Sequence, residues 1–441
     1  MALKRTRCRP TTENLKKCKN EASEPCSNDE TRIKKEVKGL QIKTEIKEEP
    51  EDFKNDLNES YHTIDIKNGL TKDISIIHEV DLHKMAWRKL ACKPTELRLD
   101  IVLKCGQSFR WTTPFKSRPD EYVGVLESKV WILKQTPDSI LYKTLQKENI
   151  KQESNSSFQE TNLMHDKKDE EYLREYFQLD VDLESLYSVW GKVDPVFHNI
   201  SKRFIGVRML RQDPVENIFS FICSSNNNIK RISGMVENLC TRYGKEITKI
   251  QIDDSVDDAS KVYYSFPTLQ SLCGELPSSD NSMDVEQTLR SLSFGYRAAY
   301  IAKTAKQITN AGGYEYLLSL RALPYNKAKA ELLKLTGIGP KVADCVLLMS
   351  LDKPSTVPVD IHMFQIAAKT YLPHLKGQKS VTDKVYKEIS DHFRELYGDY
   401  AGWAHSVLFS ADLRHLQNIE KPNDTQVKPP KTNNTKGRKR K

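Results

Sequence analysis

No apolar run in this 441-residue chain approaches the roughly 20 residues that a membrane-crossing helix needs. The opening MALKRTRCRP has no apolar core, so no secretory leader is expected. Nine cysteines are scattered along the chain, and none form the close pairs of a zinc knuckle or an iron–sulfur loop. Free thiols in a reducing compartment, no metal and no cofactor are therefore expected. Residues 1–80 almost lack aromatic side chains and are rich in Lys, Glu, Asn and Ser. Such a composition buries too little to offset its ordering entropy, and a disordered charged arm is predicted. What remains is long enough for a sizeable core in two or three packed units of a soluble, intracellular protein.

A formal net charge of +9 favours a polyanionic partner, though only weakly by itself. Within the arm, IKKE, IKTE and IKEE repeat a hydrophobic–Lys–x–Glu pattern. It resembles the acceptor site for small ubiquitin-like modifiers, and it also fits a mixed-charge linker. Residues 419–441 read as a disordered basic tail ending in KGRKRK, which suggests nuclear import or added non-specific DNA affinity. The acid-free first dozen residues leave room for a minor mitochondrial pool.

Order is expected from about Trp87. LRLDIVLKCGQSFRWTT, EYVGVLESKVWILKQT and SILYKTLQ show partial alternation of β-branched and aromatic residues, broken by turn formers. They read as an antiparallel meander with one side needing cover, within a sheet domain at 81–195. Lys147–Asp169 reads as a flexible loop. From Glu170 the spacing turns helical through YLREYFQL, DPVENIFSFICSSNNNIKRISGMVENLCTRYG, RAAYIAKTAKQI and NKAKAELLKL. A polar insert surrounds Pro277–Asp284. The predicted class is α+β, a small antiparallel sheet followed by helical domains at 196–418.

The richest stretch is AELLKLTGIGPKVADCVLLMSLDKPSTVPVD, residues 330–360. A helix runs into Thr336, GIG makes a tight hairpin, and Pro340 suits the first turn of a second helix. This places a helix–hairpin–helix at about 326–350. Gly337 and Gly339 let the backbone approach another molecule, and the free N–H groups at the helix start form an anion site suited to phosphate. Taken alone, a structural hairpin fits as well as a DNA-binding one. Lys341, Cys345 and Met349 follow at i, i+4 and i+8 and share one helix face. An ammonium beside a thiol and a thioether is odd for a core face, although a phosphate-contacting lysine would also fit. Asp360 follows Pro358 and precedes an apolar helical run, where it reads as an N-cap that can turn its second oxygen to a cleft.

This stretch resembles the helix–hairpin–helix, Gly/Pro-loop and Asp signature of base-excision DNA glycosylases. The longer resemblance, over roughly Trp87–Leu416, is to the eukaryotic 8-oxoguanine DNA glycosylases. GQSFRW, SGM-VENLC, FGYRA, LTGIGPKVADC, LDKP, VPVDIHM and GWAHSVLFSADLR occur in the family's order. The resemblance implies a bifunctional enzyme that removes 8-oxoguanine, and formamidopyrimidine-guanine, opposite cytosine in duplex DNA, and requires no metal. Lys341 would be the nucleophile that forms a Schiff base and permits β-elimination, once it has lost its proton. Asp360 would face the positive charge developing on the sugar.

For the extruded base, the resemblance implies a pocket of Gly106, Cys345, Met349, His405 and Phe409. Phe409 and Cys345 would lie on opposite faces of the base. The Gly106 carbonyl would accept the ring N–H that only the oxidised base carries. Asn226, Arg231, Tyr296 and Arg297 would fill the gap and read the orphan cytosine, with Asn227 and Asn228 as alternatives to Asn226. His362 would lie near a flanking phosphate. One departure stands out: His405 occupies a position where vertebrate members carry glutamine, which implies altered base preference or pH dependence. A monofunctional alkylbase glycosylase, and a damage-binding protein in which Lys341 merely neutralises phosphate, are the rival readings. A monomer in the nucleus is expected.

Overall fold

The computed structural model describes Leu82 and residues 85–146, 158–252, 260–274, 284–378 and 380–418. The arm, its three Lys-containing repeats, most of the Pro277–Asp284 insert and the basic tail lie outside these residues. Four antiparallel strands form the first layer: β1 (Arg88–Ala91), β2 (Glu121–Leu126), β3 (Lys129–Gln135) and β4 (Ser139–Leu145), in the order β1-β4-β3-β2. The β2–β3 turn places Glu127 and Ser128 at φ 47° and 58°. This backbone hand matches the strand twist of a two-residue hairpin.

The first predicted strand is corrected. Within LRLDIVLKCGQSFRWTT, Leu99–Val102 is a helical turn, and only Thr112 bridges to a strand, at Val123. Its apolar residues serve two cores. Ile101 and Cys105 enter the helical core, whereas Leu99 and Val102 enter the sheet core. Spacings of three and four satisfy both, and a strand's alternation does not. The edge position is taken by Arg88–Ala91 instead.

The expected loop at Lys147–Asp169 is also corrected over its second half, where Phe158–Tyr176 is one helix. Its polar composition hid it; its last turns set Leu173, Tyr176 and Phe177 against the sheet. Asp169, assigned to the loop, is a buried anchor. It accepts from Arg88 at 2.9 Å, Lys129 at 2.7 Å and Thr144 at 2.8 Å. Both faces of the sheet are covered. A two-stranded ribbon, Glu246–Gln251 with Ser260–Tyr264, brings Ile247, Ile250 and Tyr263 against Val123, Val125, Val130 and Ile132. That ribbon was not anticipated within the helical half, and it explains why every residue of β2 is buried.

The helical layer holds the larger core. Asp213 caps Pro214–Ser224 and Asn228 caps Ile229–Tyr243, each by accepting a backbone N–H three residues on. The helix–hairpin–helix consists of Tyr325–Leu332 and Pro340–Ser350. Its turn needs glycine at Gly337, where φ is +81° and an added Cβ would lie 2.6 Å from the Tyr300 ring. Gly337→Ala is therefore expected to cost about 1–3 kcal/mol, read as a lower thermal midpoint. Gly339→Ala, where nothing lies within 4 Å of an added Cβ, should change the midpoint little.

Candidate active site

The Pro340–Ser350 helix starts at Gly339, an N-cap with no side chain to satisfy the first N–H groups. These donors lie at the positive end of the helix dipole. One residue inside, Lys341 is half-buried, and its Nζ lies 4.8 Å from the Phe221 ring centroid. Phe221 belongs to the Pro214–Ser224 helix, which packs directly on the hairpin helix. Cys345 is buried one turn on. Burial pushes its thiol up to about 11, opposed most strongly by the Lys341 charge and reinforced by Asp360. Met349 is buried a further turn along and belongs to the helical core.

Asp360 caps Ile361–Ile366, with Oδ1 accepting the Met363 N–H at 2.9 Å. The cap reading of the sequence holds, and Oδ2 has no hydrogen bond among the described residues. His405 is 7% exposed, and neither ring nitrogen makes a well-aligned hydrogen bond among the described residues. Burial lowers its pKa to about 4, with the Lys341 charge acting in the same direction and Asp360 and the Pro358 carbonyl opposing. The ring is therefore a neutral imidazole at physiological pH. It lies 6.2 Å from the Phe409 ring at an interplanar angle of 23°. His362 meets the same Phe409 edge-on at 6.0 Å and pairs through Nδ1 with Asp412 at 3.2 Å. Lys341, Cys345, Asp360, His405, Phe409 and His362 thus form one connected group from three helices.

Gly106 sits at φ +85°, and an added Cβ would lie 3.2 Å from Ile229 Cδ1. Gln107 holds this turn by donating to the Arg208 carbonyl at 3.0 Å and accepting from the Leu210 N–H at 2.9 Å. The turn therefore adjoins the loop that carries the asparagines. Asn226 is exposed at φ 47°, and its side chain has no hydrogen bond among the described residues. Asn227 donates to the Cys223 carbonyl at 2.9 Å, and Asn228 caps the helix through Arg231 N at 3.0 Å. Of the three, Asn226 is the one whose side-chain amide makes no hydrogen bond among the described residues. Arg297 is buried beneath Tyr296, its guanidinium 4.6 Å from that ring. It donates to the carbonyls of Ser225 and Asn226, and Tyr296 donates to Ser225 at 3.2 Å. Arg231 is exposed and reaches the Ser293 carbonyl at 3.5 Å. Asn226, Tyr296, Arg297 and Arg231 are brought together at one edge.

A buried network behind the hairpin escaped the sequence reading. Asp344 has no exposed surface, and it accepts from Lys329 at 2.8 Å, Tyr325 at 3.0 Å and Tyr386 at 2.6 Å. Burial alone would lower the Lys329 pKa, but the adjacent Asp344 holds it above its ordinary value. The Tyr386 hydroxyl also accepts the Val359 N–H at 3.2 Å and approaches the Pro340 carbonyl at 3.4 Å. One phenol therefore ties the residue before Lys341 to the residue before Asp360. It comes from the Asp383–Tyr397 helix, and no local spacing marks it. Tyr386→Phe is expected to lower the single-turnover rate by about tenfold, through misplacement rather than loss of a reacting group. DNA affinity should change less than twofold. Equal losses in rate and affinity would refute a positioning role.

Comparison with known proteins fixes the family. Residues 89–218 match the 8-oxoguanine DNA glycosylase N-terminal domain, and residues 219–394 match the HhH-GPD superfamily of base excision DNA repair proteins. The chain is 35% identical to the Arabidopsis thaliana N-glycosylase/DNA lyase OGG1 over 355 residues, 79% of this chain and 87% of the relative. It belongs to the 8-oxoguanine DNA glycosylase family. This N-glycosylase/DNA lyase is also 35% identical to the Saccharomyces cerevisiae N-glycosylase/DNA lyase, over 74% of this chain and 86% of that one. Its fold is similar to that of the Clostridium acetobutylicum 8-oxoguanine glycosylase/lyase, with a TM-score of 0.55, 27% identity and coverage of 74% of this chain and 98% of that one. The same bacterial enzyme in complex with double-stranded DNA containing cytosine opposite 8-oxoG gives a TM-score of 0.55 at 26% identity, covering 74% and 97% of the two chains. The glycosylase/lyase class and the sheet-plus-helices architecture expected from the sequence both hold.

Proposed function

We propose that this N-glycosylase/DNA lyase excises 8-oxoguanine, and formamidopyrimidine-guanine, opposite cytosine in duplex DNA, with Lys341 as nucleophile. The observation that carries the proposal is the half-buried Lys341 amine, held over Phe221 and sharing one electrostatic neighbourhood with Cys345, Asp360 and His405. Neutral Nζ attacks C1′ of the deoxyribose, and the glycosidic bond breaks with its electron pair leaving on the base, which takes up a proton. Opening of the sugar ring yields an imine. Loss of a C2′ proton then expels the 3′ phosphate by β-elimination, and hydrolysis releases the amine. The free Oδ2 of Asp360 stabilises the cation that develops at the sugar.

Phe409 and Cys345 flank the extruded base, with Met349 lining the pocket behind the thiol. The Gly106 carbonyl accepts the N–H that distinguishes the oxidised ring. Undamaged guanine would leave that acceptor unpaired, a cost of about 1–3 kcal/mol. Asn226, Arg231 and Arg297 read the orphan cytosine, and Tyr296 wedges the remaining stack. Gly337 and Gly339 bring hairpin N–H groups to a phosphate, and His362, fixed by Asp412, contacts another. The protein acts as a monomer in the nucleus. Borohydride trapping on duplexes with oxidised or intact guanine opposite cytosine tests the reading. A covalent adduct on the oxidised duplex alone supports it; no adduct on either defeats it.

His405 then offers one donor and one acceptor to the base. Because its pKa lies near 4, pH 6–8 is not where its titration should show. The excision rate of the parent should diverge from that of His405→Gln as pH falls below about 5. The ratio of 8-oxoguanine to formamidopyrimidine excision should also differ severalfold between the two. Superimposable profiles to pH 4.5, together with equal ratios, would remove any specificity role. The same depression destabilises the fold as pH falls from 6.5 through about 4, because the unfolded chain then binds a proton that the folded ring refuses.

A further inference from the structure

Beyond the residues assigned above, four cations with no ion pair among the described residues line a recess of about 520 Å³. Arg242 and Lys245 lie at the end of the Ile229–Tyr243 helix and just past it, and Lys303 and Lys306 come from the Arg297–Asn310 helix. All four are exposed, and none forms an ion pair among the described residues. Two carboxylates share the recess, and both are engaged. Asp284 caps a helix through Gln287 N at 2.8 Å, and Glu286 holds Arg290 at 2.7 Å.

The placement of the Arg297–Asn310 helix gives this charge a direction. It begins beside Tyr296 and Arg297, and then runs along the back of the hairpin. Tyr300 sits against Gly337, Thr304 donates to the Thr336 carbonyl, and Gln307 accepts the Thr336 N–H at 2.8 Å. At about 100° per residue, Lys303 lies on the same face as Tyr296, Tyr300 and Gln307, and Lys306 lies one step round. At about 1.5 Å per residue, the two lysines stand about 10 and 15 Å from Tyr296 along the axis. In duplex DNA that distance spans about three to four base pairs.

We infer that Arg242, Lys245, Lys303 and Lys306 form a second phosphate-contacting track, which grips the backbone of the same duplex on one flank of the lesion. The track rests on the proposed duplex binding but not on the chemistry at Lys341. Each phosphate neutralised releases condensed counterions, so the contacts should appear in the salt dependence of binding. They carry no base sequence, and they hold the duplex while the target nucleotide is extruded.

The test uses the full chain and its quadruple variant Arg242→Gln, Lys245→Gln, Lys303→Gln, Lys306→Gln, with fluorescence anisotropy over 50–200 mM salt. The probes are undamaged and lesion-bearing duplexes of 25 base pairs, and duplexes cut to two base pairs on one flank or the other. On long duplexes the variant should bind about tenfold or more weakly, and the slope of log K against log salt should fall by about 2–4. One of the two truncations should erase the difference between variant and parent. Single-turnover excision at saturating DNA should be unchanged. An unaltered slope on long duplexes overturns the inference, and so does an equal loss on every duplex. Because undamaged DNA reports the track as well as damaged DNA does, failure of the excision reading leaves this result separately legible.

Discussion

Lys341→Gln is expected to abolish the borohydride-trapped adduct and to slow base excision by about 10³-fold or more, while DNA affinity stays within a few-fold. The substitution keeps a polar side chain, one atom shorter, and removes the amine that bonds to C1′ in the proposed mechanism. The hairpin backbone, Gly337, Gly339 and the edge proposed to read the orphan cytosine are untouched, so binding should persist. Loss of the contact with Phe221 removes about 0.5–1 kcal/mol of cation–π attraction, small beside the effect on the rate. Removing the ammonium should also raise the His405 pKa from about 4, because Lys341 is one of the influences that depress it. Titration of the His405 ring by NMR checks that shift. Trapping that survives in Lys341→Gln would transfer the nucleophile to another amine and end the assignment. Binding lost together with activity would instead support a lysine that only neutralises phosphate.

Asp360→Asn should slow excision by about 10²–10³-fold with little loss of stability, because the two functions of this carboxylate separate chemically. Its Oδ1 caps a helix, a task that an asparagine oxygen performs nearly as well. In the proposed mechanism its charge stabilises the sugar cation, and an amide cannot supply that charge. Asp360→Ala removes both, adding about 1 kcal/mol of destabilisation to the same kinetic loss. Equal rates for the Asn and Ala variants, with thermal midpoints about 2–4 °C apart, are the expected pattern. A fully active Asn variant would reduce Asp360 to a cap.

Much of the site was legible because its signals are local. Gly337 must adopt positive φ, Pro340 suits a first turn, and Lys341 and Cys345 share a face through helical spacing alone. The cap at Asp360 was readable for the same reason. Elsewhere the local signal misled. The apolar residues of Leu97–Leu103 looked like strand alternation because they divide between two cores, which no window of sequence reveals. The Phe158–Tyr176 helix looked like a loop because its composition is polar and its anchor, Asp169, is a buried carboxylate. That Asn227 and Asn228 spend their amides on the local backbone, while Asn226 does not, depends on a fold that no spacing reveals.

By itself, then, the sequence determined the α+β class, the hairpin with its lysine and aspartate, and the family, since these depend on residue order and short-range geometry. The tertiary structure alone decided that Tyr386 bridges the backbone before Lys341 to that before Asp360, 46 and 27 residues away along the chain. It also decided that His405 is neutral, and that four cations from two helices share one recess. Each of these depends on burial or on charges brought close through space, and neither is encoded in the spacing of neighbouring residues.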